Sequence, residues 1–147
     1  AMHENIAQYT KSGAKPCNMA ATGETVGGVS CEYRGHSNKM KGAPIDLVFP
    51  SEGLGWDLEA FAIYKGTKKL DAAKKLADWA SSKDAMVHYG KNFAITAQPG
   101  VAPKLANIPA DYESRLIKMD FNTSASNRER TLAEWNKRYN AKSEPRK

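Results

Sequence analysis

PIDLVFPSEGLGWDLEAFAIY, residues 44–64, holds the two strongest strand signatures in the chain. In Pro44–Phe49, Ile45, Leu47 and Phe49 alternate with Asp46 and Val48, which predicts a strand. Pro50-Ser51-Glu52-Gly53 reads as a turn. In Trp56–Tyr64 a period of two puts Asp57, Glu59, Phe61 and Ile63 on one face. Trp56, Leu58, Ala60, Ala62 and Tyr64 take the other face, and Gly66 ends the run. Upstream, Thr25–Cys31 (TVGGVSC) is small and β-prone, and is expected to be a buried strand packed closely around its glycines.

Helical signals surround these segments. Met2, Ile6 and Tyr9 share a helical spacing that breaks at Ser12-Gly13 and Pro16, and Cys17–Ala21 reads as a short helical turn stopped by Gly23. Tyr33–Lys41 is expected to be a short polar helix closed by Gly42. Asp71 opens a helix to Ala80, with Leu70, Ala73, Leu76, Ala77 and Ala80 along one side. Ser82 caps a helix Lys83–Tyr89 that Gly90 stops. Residues 92–110 contain Pro99, Gly100, Pro103 and Pro109 and read as a long surface excursion. Ser124 is expected to cap the last helix, where Leu132, Trp135 and Tyr139 form a stripe, and the tail from Asn140 to fray. The order is mixed α/β. Two or three strands are fewer than the ~4–6 of an ordinary sheet, so further chain or another molecule is expected to complete it.

The 147 residues suit about one domain of ~100–200 residues. At 41% hydrophobic and 26% charged the composition excludes collagen-like, disulfide-dense and low-complexity chains. No apolar run approaches the ~20 residues of a membrane span. The net charge of +6 is compatible with nucleic acid, an anionic ligand or plain solubility. Only the last stretch is locally basic, from Arg128 and Arg130 through Lys137, Arg138 and Lys142 to Arg146 and Lys147, with Glu129, Glu134 and Glu144 among them. That alternation of sign favours a solvated helix face over a nucleic-acid surface. Cys17 and Cys31 permit one disulfide and demand none, and two separate small buried side chains are the expectation. AMHENIAQYT lacks the pattern of a signal peptide, so the chain is expected to be cytosolic or a processed or truncated piece.

His3, His36 and His88 stand in no zinc spacing, and HExxH, GxSxG, GxGxxG and the P-loop are all missing. No catalytic residue, metal or cofactor is expected. Three local features carry chemistry. Tyr9-Thr10-Lys11-Ser12-Gly13 can present backbone N–H groups and a hydroxyl to an anion, or be a plain turn. Glu32-Tyr33-Arg34 offers an acceptor and a π-face to a cation at a strand end, or is the first turn of a surface helix, where Glu suits the dipole. Trp56-Asp57-Leu58-Glu59 points two carboxylates the same way ahead of Phe61 and Ile63. Those acids need a cation such as a primary ammonium, or the strand begins at the solvent edge with both hydrated.

At GETVGGVSCEYRG (23–35), KGAPIDLVFPSEGLGWDLEAFAIYKGTKKLDAAKKLADWASS (41–82) and RTLAEWNKRYNAKSEP (130–145) the chain resembles the C-terminal half of type II periplasmic substrate-binding proteins of ABC importers. Within them it is most similar to the 2-aminoethylphosphonate binders, near relatives of the ferric-iron and spermidine/putrescine binders. The resemblance implies an incomplete two-lobed α/β fold. Residues 1–50 would be part of the second lobe, 51–118 the return strand and helices of the first, and 119–147 a C-terminal helix packing back on the second. A missing N-terminal half or a swapped copy would complete it. In the iron binders a tyrosine pair follows the strand matching 25–31; here the pair is Tyr33 and Arg34, which argues against ferric iron. In the polyamine binders an acid on the return strand holds an ammonium; the matching residue is Glu59, with Asp57 one pleat away. Ser12 and Gly13 would lie on the cleft side and receive a phosphonate.

The resemblance therefore implies capture, without turnover, of a small zwitterionic aminophosphonate through Ser12, Gly13, Glu32, Tyr33, Trp56, Asp57 and Glu59. Its expected partners are that ligand and an ABC permease in the inner membrane, its location is periplasmic, and nucleic acid is not a partner. Alternatives are a polyamine, phosphate-ester or ferric-iron binder of the same superfamily, or, from another class, a basic nucleic-acid-interacting domain.

Overall fold

Caps and stops, rather than strand pairing, organise this chain. A computed structural model describes residues 2–101, 105 and 107–145. Its helices are α1 (Met2–Asn5), α2 (Lys15–Ala21), α3 (Glu32–Met40), α4 (Leu70–Ala80), α5 (Lys83–Lys91), α6 (Phe121–Ser126) and α7 (Arg128–Tyr139), with single 3₁₀ turns at Tyr112–Arg115 and Asn140–Lys142. Pro16 sits in the first turn of α2, where its missing N–H costs nothing. α3 starts on Glu32 at its positive end and closes at Gly42. There φ is +88°, and the N–H groups of Gly42 and Ala43 reach back to the carbonyls of Lys39 and Asn38, both at 3.0 Å. Ser82 caps α5 as expected, its hydroxyl accepting from the Ala85 N–H at 3.3 Å.

The C-terminal helices depart from expectation. The last helix, α7, starts after Asn127 without a side-chain cap, and the capping side chain in this region is Asp120, at the start of α6. Its carboxylate accepts from the Thr123 N–H at 3.0 Å and the Thr123 hydroxyl at 2.6 Å, and these bonds hold it below the usual carboxylate range. Ser124 falls inside α6, and Asn127 separates α6 from α7. The tail from Asn140 is ordered by a parallel bridge between Tyr9 and Ser143. Pro103, Arg146 and Lys147 lie outside the described residues.

The chain divides into two compact units. The first comprises Ala1–Cys31 and Ile117–Lys147. In it the Tyr9 N–H donates to the Lys142 carbonyl and the Glu144 N–H to the Tyr9 carbonyl, both at 2.8 Å. Around this bridge His3, Tyr9, Trp135 and Tyr139 form an aromatic cluster with centroids 5.0–6.4 Å apart. The Lys142 ammonium donates to the carbonyls of His3 and Ile6, both at 2.8 Å, and of Glu4 at 3.2 Å, so it closes the carbonyl end of α1. Cys17 is buried, Cys31 is exposed, and they are not bonded to each other.

The second unit is Glu32–Leu116. Gly35 of α3 packs on Leu47, His36 is buried against Phe93, and Ala85 of α5 is fully buried. The Leu54 N–H donates to the Arg115 carbonyl and the Arg115 guanidinium to the Phe49 carbonyl, both at 2.8 Å, while Phe49 meets Tyr112 edge-on. Leu70, Leu76 and Trp79 of α4 remain about half exposed.

Thr25–Cys31, Pro44–Phe49 and Trp56–Tyr64 do not become strands. Among the described residues there is no sheet, and the ladder contacts are two isolated parallel bridges, Tyr9 with Ser143 and Leu54 with Leu116. This corrects the α/β expectation: the fold is mostly helical, and a half of a two-lobed type II binding-protein fold does not describe it. The physical reason is that alternation and β-propensity measure fitness for a sheet surface, whereas a strand exists only where a neighbour accepts its backbone bonds. Among the described residues these segments join no ladder with a neighbour, and Val48 and Tyr64 stay 84% and 85% exposed.

One close approach expected from the sequence is present. A Cβ on Gly28 would stand 2.2 Å from the Pro16 carbonyl oxygen and 2.5 Å from its carbon, whereas one on Gly27 would meet nothing within 4 Å. Gly28→Ala is expected to destabilise the chain by ~1–3 kcal/mol and Gly27→Ala to leave it near wild type. Urea unfolding of the two variants checks this, and coincident midpoints would remove the close approach.

Candidate functional site

The residues with binding chemistry fall into both units. In the second unit, residues 55–64 run without helix, turn or bend. Trp56 is partly buried, while Asp57 and Glu59 are exposed. The Asp57 carboxylate accepts from the neighbouring Leu58 N–H at 2.8 Å. Among the described residues neither acid forms an ion pair; the pairs are Lys15–Glu144, Lys39–Asp46, Arg115–Asp111 and Arg138–Glu134. Two hydrated carboxylates beside an indole can take a cation from solution. They cannot perform acid–base chemistry on a buried substrate, because water surrounds them.

Glu32 and Tyr33 open α3 in the same unit. Glu32 is half-buried and its charge acts on Tyr112, whose phenol is raised above its ordinary range, first by burial and then by that carboxylate. The Arg34 guanidinium lies 5.7 Å from the Tyr33 ring centroid, so the chain's own cation already uses that π-face.

Ser12 and Gly13 lie in the first unit, exposed, just ahead of α2. Their carbonyl oxygens are accepting. Ser12 takes the Thr10 hydroxyl at 2.9 Å and the Lys15 N–H at 3.2 Å, and Gly13 takes the Ser30 hydroxyl. The donors expected of this turn are supplied by its lysines, and they hold an oxyanion from the chain itself. The Lys11 N–H donates to one oxygen of Glu144 at 3.1 Å, the Lys15 ammonium donates to the other, and the Lys11 ammonium reaches the Pro145 carbonyl at 2.6 Å. Lys15 first, then the Lys11 N–H, hold the Glu144 carboxyl below the ordinary glutamate range. The turn opens onto a groove of about 1860 Å³ whose lining includes Thr25, Val26, Val29, Trp135 and Glu144.

Sequence reading misses Lys15 and Glu144. Lys15 stands one residue before a proline, with no motif around it. Glu144 meets the turn across 129 residues of sequence, and no local pattern encodes a contact of that range. Among the described residues no group of three or more His, Cys, Asp and Glu side chains is placed to hold a metal ion. His3 bonds Tyr9 at 2.9 Å, His36 lies under Phe93, and His88 faces Trp79. Among the described residues no helix is long and apolar enough to cross a membrane.

Comparison with known proteins is sparse. An uncharacterized protein of Haemophilus influenzae is 43% identical over 83 residues, which are 56% of this chain and 24% of that protein. The matched stretch thus spans about a quarter of the length of that relative. No family model matches the chain. No solved structure matches it either. The resemblance to the type II periplasmic binding proteins is therefore corrected on two grounds: the helical fold, with no sheet among the described residues, and the comparisons, where an uncharacterized protein matches and no solved structure does.

The Glu144 contact has a definite pH signature. An unfolded glutamate titrates near 4.5, and the folded value is lower. The contact therefore stabilises fully above that pH and is lost as pH falls through the lowered value. Amide exchange at Tyr9 and Glu144 is expected to stay slow from neutrality to about 4.5, and to speed up, relative to intrinsic rates, in stronger acid. Glu144→Gln is expected to flatten that acid limb. Superimposable profiles for the two proteins would remove Glu144 as the titrating group.

Proposed function

We propose that the chain captures a small zwitterionic aminophosphonate, with 2-aminoethylphosphonate the leading candidate, and performs no chemistry on it. The observation that carries the reading is the pair of exposed, ion-unpaired carboxylates Asp57 and Glu59 beside Trp56. Two like charges two residues apart raise the local attraction for one cation, and a primary ammonium can donate to both oxygens sets at once. Trp56 adds an apolar and π wall. In the first unit, the Lys11 N–H and the Lys15 ammonium form a donor pair that already receives a carboxylate. Taken by itself, that pair can also receive a phosphonate oxygen in place of Glu144, as a site within the first unit. Glu32 and Tyr33 take no direct part in this version of the reading, because Glu32 acts on Tyr112 and Arg34 covers Tyr33. A protein that captures without turnover must hand its ligand on, and an ABC permease facing the periplasm is the recipient this proposal names.

Calorimetric titration tests it with 2-aminoethylphosphonate, putrescine, ferric citrate and methylphosphonate. Heat is expected with the first. Glu59→Gln is expected to weaken the amine-bearing ligands about 10–100-fold, the size of one or two charge-assisted bonds, and to leave methylphosphonate unchanged. Glu144→Gln is expected to tighten methylphosphonate about two- to fivefold by removing the internal competitor. Silence with 2-aminoethylphosphonate, or equal losses for amine and non-amine ligands in Glu59→Gln, would end the reading.

A further inference from the structure

Residues 57–63 carry a consequence that small-ligand capture leaves untouched. Among the described residues their backbone makes no hydrogen bond to another segment, and Leu58 and Phe61 are 63% and 54% exposed. A straight, apolar run with open N–H and C=O groups is a template for strand addition. We propose that this segment pairs antiparallel with the same segment of a second copy of the chain, with Phe61 on the two-fold axis.

Charge and size select that occupant and register. With Phe61 opposite Phe61, Asp57 of each copy faces Lys65 of the other, an exposed lysine at the end of the run. Glu59 faces Ile63 and lies diagonal to the same lysine, Leu58 faces Tyr64, and Ala60 faces Ala62. Each acid thus meets a cation or an aliphatic group, and the aromatic pair fills the axis. A parallel in-register ribbon would set Asp57 on Asp57 and Glu59 on Glu59, at a cost. Centring on Ala60 would leave Lys65 opposite Gly55. The Phe61 register reaches the turn only at Lys65, whereas centring on Ala62 would run on through Gly66, setting it opposite Leu58.

The backbone also chooses an edge. The Leu58 N–H is already given to Asp57, and the Tyr64 carbonyl already accepts from the Thr67 N–H at 3.2 Å. The open edge is therefore the one formed by Glu59, Phe61 and Ile63, and these residues exchange bonds across the axis.

Sedimentation and light scattering over a dilution series test the pairing, with amide exchange as the second reading. A dimer is expected at tens of micromolar. Lys65→Glu and Asp57→Lys are each expected to weaken it at least ~10-fold, as two lost ion pairs with like-charge contacts in their place, and the double swap to restore it. Phe61→Pro, at an exposed position, is expected to abolish it by removing the N–H on the axis. Exchange is expected to slow with concentration at Glu59, Phe61 and Ile63 and to stay fast at Ala60 and Ala62. A monomer at every concentration, a dimer indifferent to Lys65→Glu and Phe61→Pro, or a double swap that fails to restore it overturns the proposal. Ligand titration at concentrations where the chain is monomeric reads the capture hypothesis separately, so the two stand or fall apart.

Discussion

A helix satisfies its own backbone, whereas an extended segment borrows satisfaction from a neighbour. Every major feature of this chain follows from that asymmetry. The helices close most of their backbone bonds internally, and α1 also takes the Lys142 ammonium at its carbonyl end. Among the described residues the segments with the best β patterns join no ladder, and Val48 and Tyr64 stay exposed. Burial is correspondingly thin: among the described residues the buried apolar side chains are Cys17 and Ala85.

Where a borrowed bond does exist, it carries much of the local order. The Tyr9–Ser143 bridge holds the tail beside the N-terminal segment. The Lys142 ammonium reaches three carbonyls around α1, the Glu144 carboxylate engages Lys11 and Lys15, and the rings of His3, Tyr9, Trp135 and Tyr139 gather over the bridge. None of these contacts is strong alone, since the charges are partly solvated. They gain by sharing one ordering cost: once the bridge fixes residues 142–144, each further bond made by them loses little additional chain entropy.

The legible part of the structure is the part whose causes are local. Ser82 caps α5, Gly42 closes α3 with positive φ, Gly28 needs its missing side chain, and the ends of α2 and α4 fall close to where apolar spacing and glycine put them. The capping error has a local cause as well: Asp120 starts a further short helix, α6, that takes in Ser124, so the last helix begins only after Asn127. The illegible part is non-local. Alternation in 56–64 says which side chains share a face and nothing of whether a partner strand exists. Glu144 becomes visible at the candidate site only when the tail is seen lying against Tyr9. Of the candidate residues, Asp57 and Glu59 are exposed, while the Arg34 guanidinium lies 5.7 Å from the ring centroid of Tyr33, its immediate neighbour.

Charge on this chain is arranged in the same economy of self-satisfaction. The lysines at 11, 15 and 142 are used within the first unit, and Lys39 with Asp46 and Arg115 with Asp111 are paired within the second. Asp57 and Glu59 stand outside that set, on a segment whose backbone, among the described residues, bonds to no other segment. An exposed acid on a flat extended edge is a common guard against strand pairing, since like charges repel a parallel or misregistered mate. The same acids admit one arrangement in which a lysine faces Asp57 from across the edge, and they admit a free ammonium. In either proposed role the segment would discriminate by charge, against partners that bring further carboxylates and for those that bring an amine.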